Sequence, residues 1–269
     1  KMSFFSGKVV IITGSSNGIG RGTAALFAKQ GAKITITGRN AESLEETKQL
    51  CLKSGAKPSD ILELIGQITD ASFNERLVSA TVEKFGKLDV LVNNAGGSTF
   101  ANFGKGIMDI PVDEFIQMMD LNVKQVLRLS QLSVPHLEKT KGAIINVSSI
   151  AAYHSLFPMP YYAAAKSALD QITIQMAGSL IKKGIRVNSV NPGPVVTNGV
   201  VAAGGTQEFS DKMFEGMGSQ LPLGRVGLPE DIGKIILFLA DRSQSEILIG
   251  HIVTADGGVV LKSAMFPDN

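Results

Sequence analysis

The sequence predicts an α/β protein built on a doubly wound parallel sheet of about seven strands, in a single domain. Three observations carry that expectation. Short apolar runs alternate with helical patterns from end to end, a glycine-rich turn joins the first run to the first helix, and no linker, low-complexity tract or repeat divides the 269 residues. Strand-like runs fall at 9–13, 33–37, 61–65, 88–92, 143–147, 185–190 and 251–254. Helical patterns fall between them at 20–29, 41–53, 73–84, 112–137, 162–182 and 230–239. Such alternation implies right-handed crossovers and a sheet covered on both faces.

The first run, Val9-Val10-Ile11-Ile12-Thr13, is apolar enough to be buried on both faces. It leads into Gly14-Ser15-Ser16-Asn17-Gly18-Ile19-Gly20 and then a helix rich in alanine. Gly14 permits the tight turn, Gly18 lets backbone approach a pyrophosphate, and Gly20 lets the helix pack closely. The helix start offers free amides and partial positive charge to phosphates. The spacing is Gly-x-x-x-Gly-x-Gly, with Ser16, Asn17 and Ile19 between the glycines.

The second run ends in Ile36-Thr37-Gly38-Arg39-Asn40. A site that selects NAD places an acid after this strand for the ribose 2′-hydroxyl, whereas arginine accommodates a 2′-phosphate. Gly38 holds the acidic position and Arg39 can grip a phosphate with paired hydrogen bonds. NADP(H) is therefore the expected cofactor, with NAD(H) second. The third run leads to Gln67 and to Asp70, a helix cap. The fourth is followed by Asn93-Asn94-Ala95-Gly96, the fifth by Ser148-Ser149, and the sixth by Asn191-Pro192-Gly193. Ligands of such sheets bind outside the carboxyl ends of the strands, where these residues fall.

The fifth helical pattern opens with Tyr162-Ala163-Ala164-Ala165-Lys166. Four residues apart, a phenol and an ammonium share one helix face. A free phenol titrates near 10 and is a poor base at neutral pH. A unit charge about 4 Å away at an effective dielectric near 20 contributes about 4 kcal/mol, roughly three pKa units. Lys166 is thus expected to draw Tyr162 toward neutrality, where a general acid/base works best.

Composition narrows the classes. With 44% hydrophobic and 19% charged residues the chain has ample core, and a net charge of +2 gives no reason to expect nucleic acid or an anionic membrane as partner. The single cysteine, Cys51, excludes an internal disulfide framework and fits a reducing compartment. His136, His154 and His251 lack zinc-binding spacing, so no metal is expected. No segment resembles a signal peptide or a membrane span, and the cytoplasm is the expected location.

As a set, Thr13-Gly14-x-x-x-Gly18-Ile19-Gly20, Asn93-Asn94-Ala95-Gly96, Asn122, Ser149, Tyr162-x-x-x-Lys166, Asn191-Pro192-Gly193-Pro194-Val195-x-Thr197 and Asp256-Gly257-Gly258 resemble the short-chain dehydrogenase/reductase family, nearly end to end. The resemblance implies a Rossmann fold and hydride transfer between NADP(H) and a carbonyl or secondary alcohol. It implies a catalytic set of Asn122, Ser149, Tyr162 and Lys166. Tyr162 would be the proton donor, Lys166 would tune it and bind the nicotinamide ribose, and Ser149 would polarise the substrate oxygen. Asn122 would hold a water that links the lysine to solvent. Cofactor contacts would come from Gly14, Ser16, Asn17, Gly18, Ile19, Gly20, Arg39, Gln67, Asn93, Ala95, Gly96, Tyr162, Lys166, Pro192, Gly193, Val195 and Thr197. Gln67 replaces an aspartate usual beside the adenine, and Asn17 replaces a base frequent in NADP-preferring relatives.

The resemblance also implies a substrate lid over 198–225, with Gly204-Gly205 as hinges and Met213, Phe214, Met217 and Leu221 as apolar contacts. Residues 154–160 would line the same pocket, and a lipophilic ketone is the substrate guessed from that lining. A homotetramer or homodimer is implied as well. The helix that begins at Tyr162 supports it independently, being apolar over more than one face. The rival reading is a dinucleotide-binding regulator or scaffold without turnover, against which the complete catalytic set argues.

Overall fold

The computed structural model of the chain describes residues 3–99, 102, 104–154, 159–198, 201 and 206–261. The strands are β1 (Val9–Ile12), β2 (Lys33–Gly38), β3 (Ile61–Ile65), β4 (Val90–Asn93), β5 (Ala143–Val147), β6 (Arg186–Pro192) and β7 (Ile252–Ala255). All pair in parallel, in the order β3-β2-β1-β4-β5-β6-β7. The order reverses between β1 and β4, which opens a crevice at their carboxyl ends.

The helices are α1 (Gly18–Lys29), α2 (Ala41–Lys53), α3 (Ala71–Phe85), α4 (Val112–Met119), α5 (Gln125–Thr140), α6 (Pro160–Leu180), α7 (Gln207–Gln220) and α8 (Pro229–Ala240). The central strand β1 is apolar and buried at every position, so it is covered on both faces. Val10 and Ile12 join Phe27, Leu44 and Ile236 of α1, α2 and α8, while Val9 and Ile11 join Leu77, Leu129 and Ala177 of α3, α5 and α6. Helix ends follow local chemistry. The Asn40 side chain accepts from Ser43 N at 2.8 Å and Asp70 from Ser72 N at 2.9 Å, each capping a helix start. Gly86, at φ 80°, ends α3 in the left-handed conformation.

The single helical pattern expected over 112–137 is divided. Residues Asp120–Lys124 form a π-helical turn between α4 and α5. There the Asn122 side chain donates to the Met118 carbonyl at 3.1 Å, competing with the backbone for that acceptor. The 198–225 segment contains a helix, α7, that its weak periodicity did not announce. Met213, Phe214 and Met217 lie on α7 and Leu221 caps it. Gly204, Gly205 and residues 155–158 lie outside the described residues. Among those described, no helix is long and apolar enough to cross a membrane.

Candidate active site

The loops after β1 and β4 are bolted together. Thr13 Oγ1 accepts from the amides of Asn94 and Ala95, both at 2.9 Å, and Asn94 Nδ2 donates to the carbonyls of Thr13 and Gly14 at 2.8 and 3.0 Å. Gly14 (φ 63°) runs so close to this loop that a Cβ would sit 2.8 Å from Ala95 Cα. A Cβ on Gly20 would meet the Gly14 carbonyl oxygen at 2.4 Å, so that glycine packs on the turn as well as the sheet. Asn17 precedes α1 without a capping side-chain bond, which leaves first-turn amides uncapped. Such donors at the crevice suit a pyrophosphate. A dinucleotide fits this cradle.

Arg21 straps the turn from outside. Its guanidinium donates to the Ser16 carbonyl, to Thr47 Oγ1 at 3.0 Å and to the Ser43 carbonyl at 2.9 Å, and pairs with Glu46 at 2.7 Å. Arg39, by contrast, is exposed beyond β2 and makes no hydrogen bond or ion pair with any described residue. A side chain at Gly38 requires Ser16 to move, because a Cβ there would lie 2.8 Å from both Cβ and Oγ of Ser16. Gln67 is exposed and donates to Thr69 Oγ1 at 2.8 Å. The Asn93 side chain turns inward to Asn146 Oδ1 (2.9 Å) and Ser130 Oγ (3.3 Å), so only its backbone faces the crevice side.

At the other end of the crevice, Ser149, Tyr162 and Lys166 converge. The Ser149 hydroxyl accepts from Ala151 N at 3.1 Å and lies near enough to the Tyr162 phenol to favour its ionised form. Lys166 is 4% exposed, donates to the Val147 carbonyl at 2.9 Å and lies 5.5 Å from the Tyr162 ring centroid. The expectation that Lys166 draws the phenol toward neutrality is corrected here. Burial pushes Tyr162 above its ordinary value, and the Ser149 hydroxyl only works against that. The ammonium donates to the Val147 carbonyl and lies 5.5 Å from the centroid of the phenol ring. Burial lowers Lys166 itself to about 8, with Asp170 pulling it back up. The resting pair is therefore a neutral phenol beside a mostly charged lysine, the protonation state a proton donor needs.

Asn122 is fully buried and its side chain is spoken for. Oδ1 accepts from Gly97 N at 3.0 Å and Nδ2 donates to Gly97 O at 2.9 Å, so it clamps the turn after β4. Gly96 fits between this amide and the lysine: a Cβ would lie 2.7 Å from Asn122 Oδ1 and 3.3 Å from Lys166 Nζ. Ser148 donates to the Lys166 carbonyl at 3.3 Å, whereas Ser149 Oγ accepts from a backbone amide. Pro192, Gly193 and Val195 follow β6, and the Thr197 side chain packs on Gly18, where a Cβ would meet its Cγ2 at 2.9 Å. Ile19 packs against the core.

Tyr162 also lines a small cavity whose wall is more polar than a lipophilic substrate calls for. Ser98, Thr99, Asn102 and Glu114 line it together with Ile110 and Met159. Thr99 donates to Glu114 Oε1 at 3.3 Å, and the Asn102 amide bonds the other oxygen. Met159 and Pro160, from the segment expected to line a substrate pocket, border this cavity, and His154 is exposed. Among the described residues no group of His, Cys, Asp and Glu is placed to hold a metal.

Comparison with known proteins decides the family. The family model described as Enoyl-(Acyl carrier protein) reductase matches residues 14–260. A solved short-chain dehydrogenase/reductase of unknown function from Caenorhabditis elegans, with cofactor, is 45% identical. It covers 97% of this chain and 98% of its own, with a TM-score of 0.93. This chain belongs to the short-chain dehydrogenase/reductase family. Glucose dehydrogenase of Caenorhabditis elegans in the apo-form is 43% identical, covering 96% and 99% of the two chains with a TM-score of 0.83. The 7alpha-hydroxysteroid dehydrogenase of Escherichia coli is 35% identical over 259 residues, 94% of each chain. A 7alpha-hydroxysteroid dehydrogenase solved with NADH and 7-oxo glycochenodeoxycholic acid has a TM-score of 0.81, at 34% identity over 94% of each chain.

Within this short-chain dehydrogenase/reductase, sequence reasoning missed the residues that hold the site without belonging to a motif. Thr13 and Asn94 were visible inside motifs, but their mutual bonding was not. Arg21, Thr47, Glu114 and Asp170 carried no readable signal. Their partners lie far away in sequence or are backbone atoms, and only the fold brings them together.

Proposed function

We propose that this protein is an NADP(H)-dependent oxidoreductase that interconverts a carbonyl and a secondary alcohol, with Tyr162 as the general acid/base. The observation that carries it is the convergence of Ser149, Tyr162 and Lys166 beside an uncapped helix start at the crevice. The α1 amides with Gly14 and Gly18 would hold the pyrophosphate, Lys166 the nicotinamide ribose, and Val195 and Thr197 the carboxamide. Bound there, the nicotinamide supplies or takes up the hydride. Ser149 donates to the substrate oxygen as negative charge develops on it. Tyr162 delivers its phenolic proton to that oxygen in reduction and recovers it in oxidation. Lys166 stabilises the phenolate left behind.

Arg39 supports NADP(H): an exposed guanidinium without a competing partner stands where the 2′-phosphate of the cofactor would lie. The polar wall of Thr99, Asn102 and Glu114 supports a substrate that carries hydroxyl groups away from its carbonyl, in place of the lipophilic ketone inferred from sequence. A panel of hydroxylated and plain ketones, assayed with NADPH and NADH, tests the reading. NADPH should give the higher kcat/KM, and Arg39→Asp should reverse the order by setting a carboxylate against the 2′-phosphate. A wild-type preference for NADH, or no hydride transfer to any carbonyl, sinks it.

A further inference from the structure

Asp170 stands one turn beyond Lys166 and two beyond Tyr162, so the three share one face of α6. It is 8% exposed. A buried carboxylate is costly unless something nearby gains from its charge, and none of the steps assigned to Ser149, Tyr162 and Lys166 uses it. Oδ2 accepts from Asn191 Nδ2 at 2.6 Å. The same amide donates to the Ser149 carbonyl at 3.1 Å, and Ser189 Oγ donates to Asn191 Oδ1 at 3.0 Å, which fixes the orientation of the amide. Oδ1 is buried with no hydrogen-bond partner at normal distance. From the neighbouring elements, β6 brings Ser189 and Asn191 and the end of β5 brings Ser148, all neutral. The charged group acting on Asp170 is Lys166.

We propose that Asp170 is a positioning residue for the proton-transfer pair. Its carboxylate keeps Lys166 in the ammonium form, and its bond to Asn191 ties the Ser149 backbone to the helix that carries Tyr162. The inference rests on the reading of Tyr162 and Lys166 as that pair. Burial works against both charges, pushing Asp170 up and Lys166 down to about 8, while each charge favours the other. The buried acid and the buried base therefore each favour the charged form of the other against the cost of burial.

The test is the pH profile of kcat for ketone reduction in wild type, Asp170→Asn, Asp170→Glu and Tyr162→Phe. It is paired with titration of the Lys166 13Cε resonance in the cofactor-free protein, assigned by its loss in Lys166→Ala. A unit charge one helical turn away is worth about one to two pH units at an effective dielectric near 20. Asp170→Asn should lower the Lys166 midpoint by that amount and move the alkaline limb of kcat down with it, with KM for the ketone little changed. Asp170→Glu, which keeps the charge, should stay near the wild-type midpoint. If Asp170→Asn does not accumulate as folded protein, Asp170→Ser goes through the same titration. A midpoint unmoved by loss of the carboxylate, or moved equally by Asn and Glu, overturns the proposal while the proton-transfer reading stands. Retained activity in Tyr162→Phe overturns both.

Discussion

Tyr162 and Lys166 meet because four residues on a helix are one turn, and that much is legible from spacing alone. The protonation state is not, because it depends on what buries the pair. Tyr162→Phe should abolish turnover and leave NADPH affinity nearly intact, since it removes the transferable proton and little else; more than a tenth of wild-type activity refutes the assignment. Lys166→Ala should impair both turnover and binding. Sign follows from the lysine: its value of about 8 lies below the ordinary 10.5, so the ammonium is present below pH 8 and is lost above it. Reduction should therefore decline on the alkaline side of about 8 in a kcat–pH profile. Ser148 and Ser149 stand side by side in sequence, and the structure gives their hydroxyls different backbone partners, the Lys166 carbonyl and the Ala151 amide. Asp170 carried no mark in the sequence. Its meaning lies in Asn191, 21 residues away on another element.

At the scale of elements, the strands were readable as short runs alternating with helical patterns, purely apolar in β1 and carrying polar residues in β2 and β6. The π-helical turn was not, because the energy that makes it comes from one asparagine side chain competing for a carbonyl. The turns after β1 and β2 are coupled in a way that composition hides. Gly38 looks like a missing acid, but a Cβ there would lie 2.8 Å from Ser16, so any side chain requires Ser16 to move. Gly38→Asp alone should therefore weaken binding of both NADPH and NADH by about tenfold or more, a cost in the range that overpacking commonly brings. Adding Ser16→Gly should recover NADH binding and not NADPH binding. Dissociation constants from calorimetry check it: a clean switch to NADH by Gly38→Asp alone would mean that Ser16 yields freely.

The whole molecule carries apolar surface that one copy does not cover. Part of the surplus on α6 is used within the chain, where Ala165, Ala168 and Ile172 pack with Met118 and Val123. Outside that cluster, Met108 is 91% exposed, Val112 68% and Ile116 60%, all on or just before α4. Ile174 on α6 is exposed too. A second patch lies toward the β7 edge, with Ile247 at 88% and Phe238 and Ile249 also exposed. Isolated apolar residues on a surface need no explanation, but clusters of long aliphatic side chains beside an open sheet edge do. Two separate patches on one chain match two kinds of two-fold interface, the requirement for a tetramer with closed dihedral symmetry. We therefore expect a homotetramer, with a homodimer if only the α4–α6 patch is used. Val112→Asp with Ile116→Asp should split the tetramer, because paired copies would bury four carboxylates without partners. Ile247→Asp should leave a dimer built on the α4–α6 patch. Light scattering at micromolar concentration reads all three proteins, and a wild-type mass near 28.4 kDa would show a monomer and refute both interfaces.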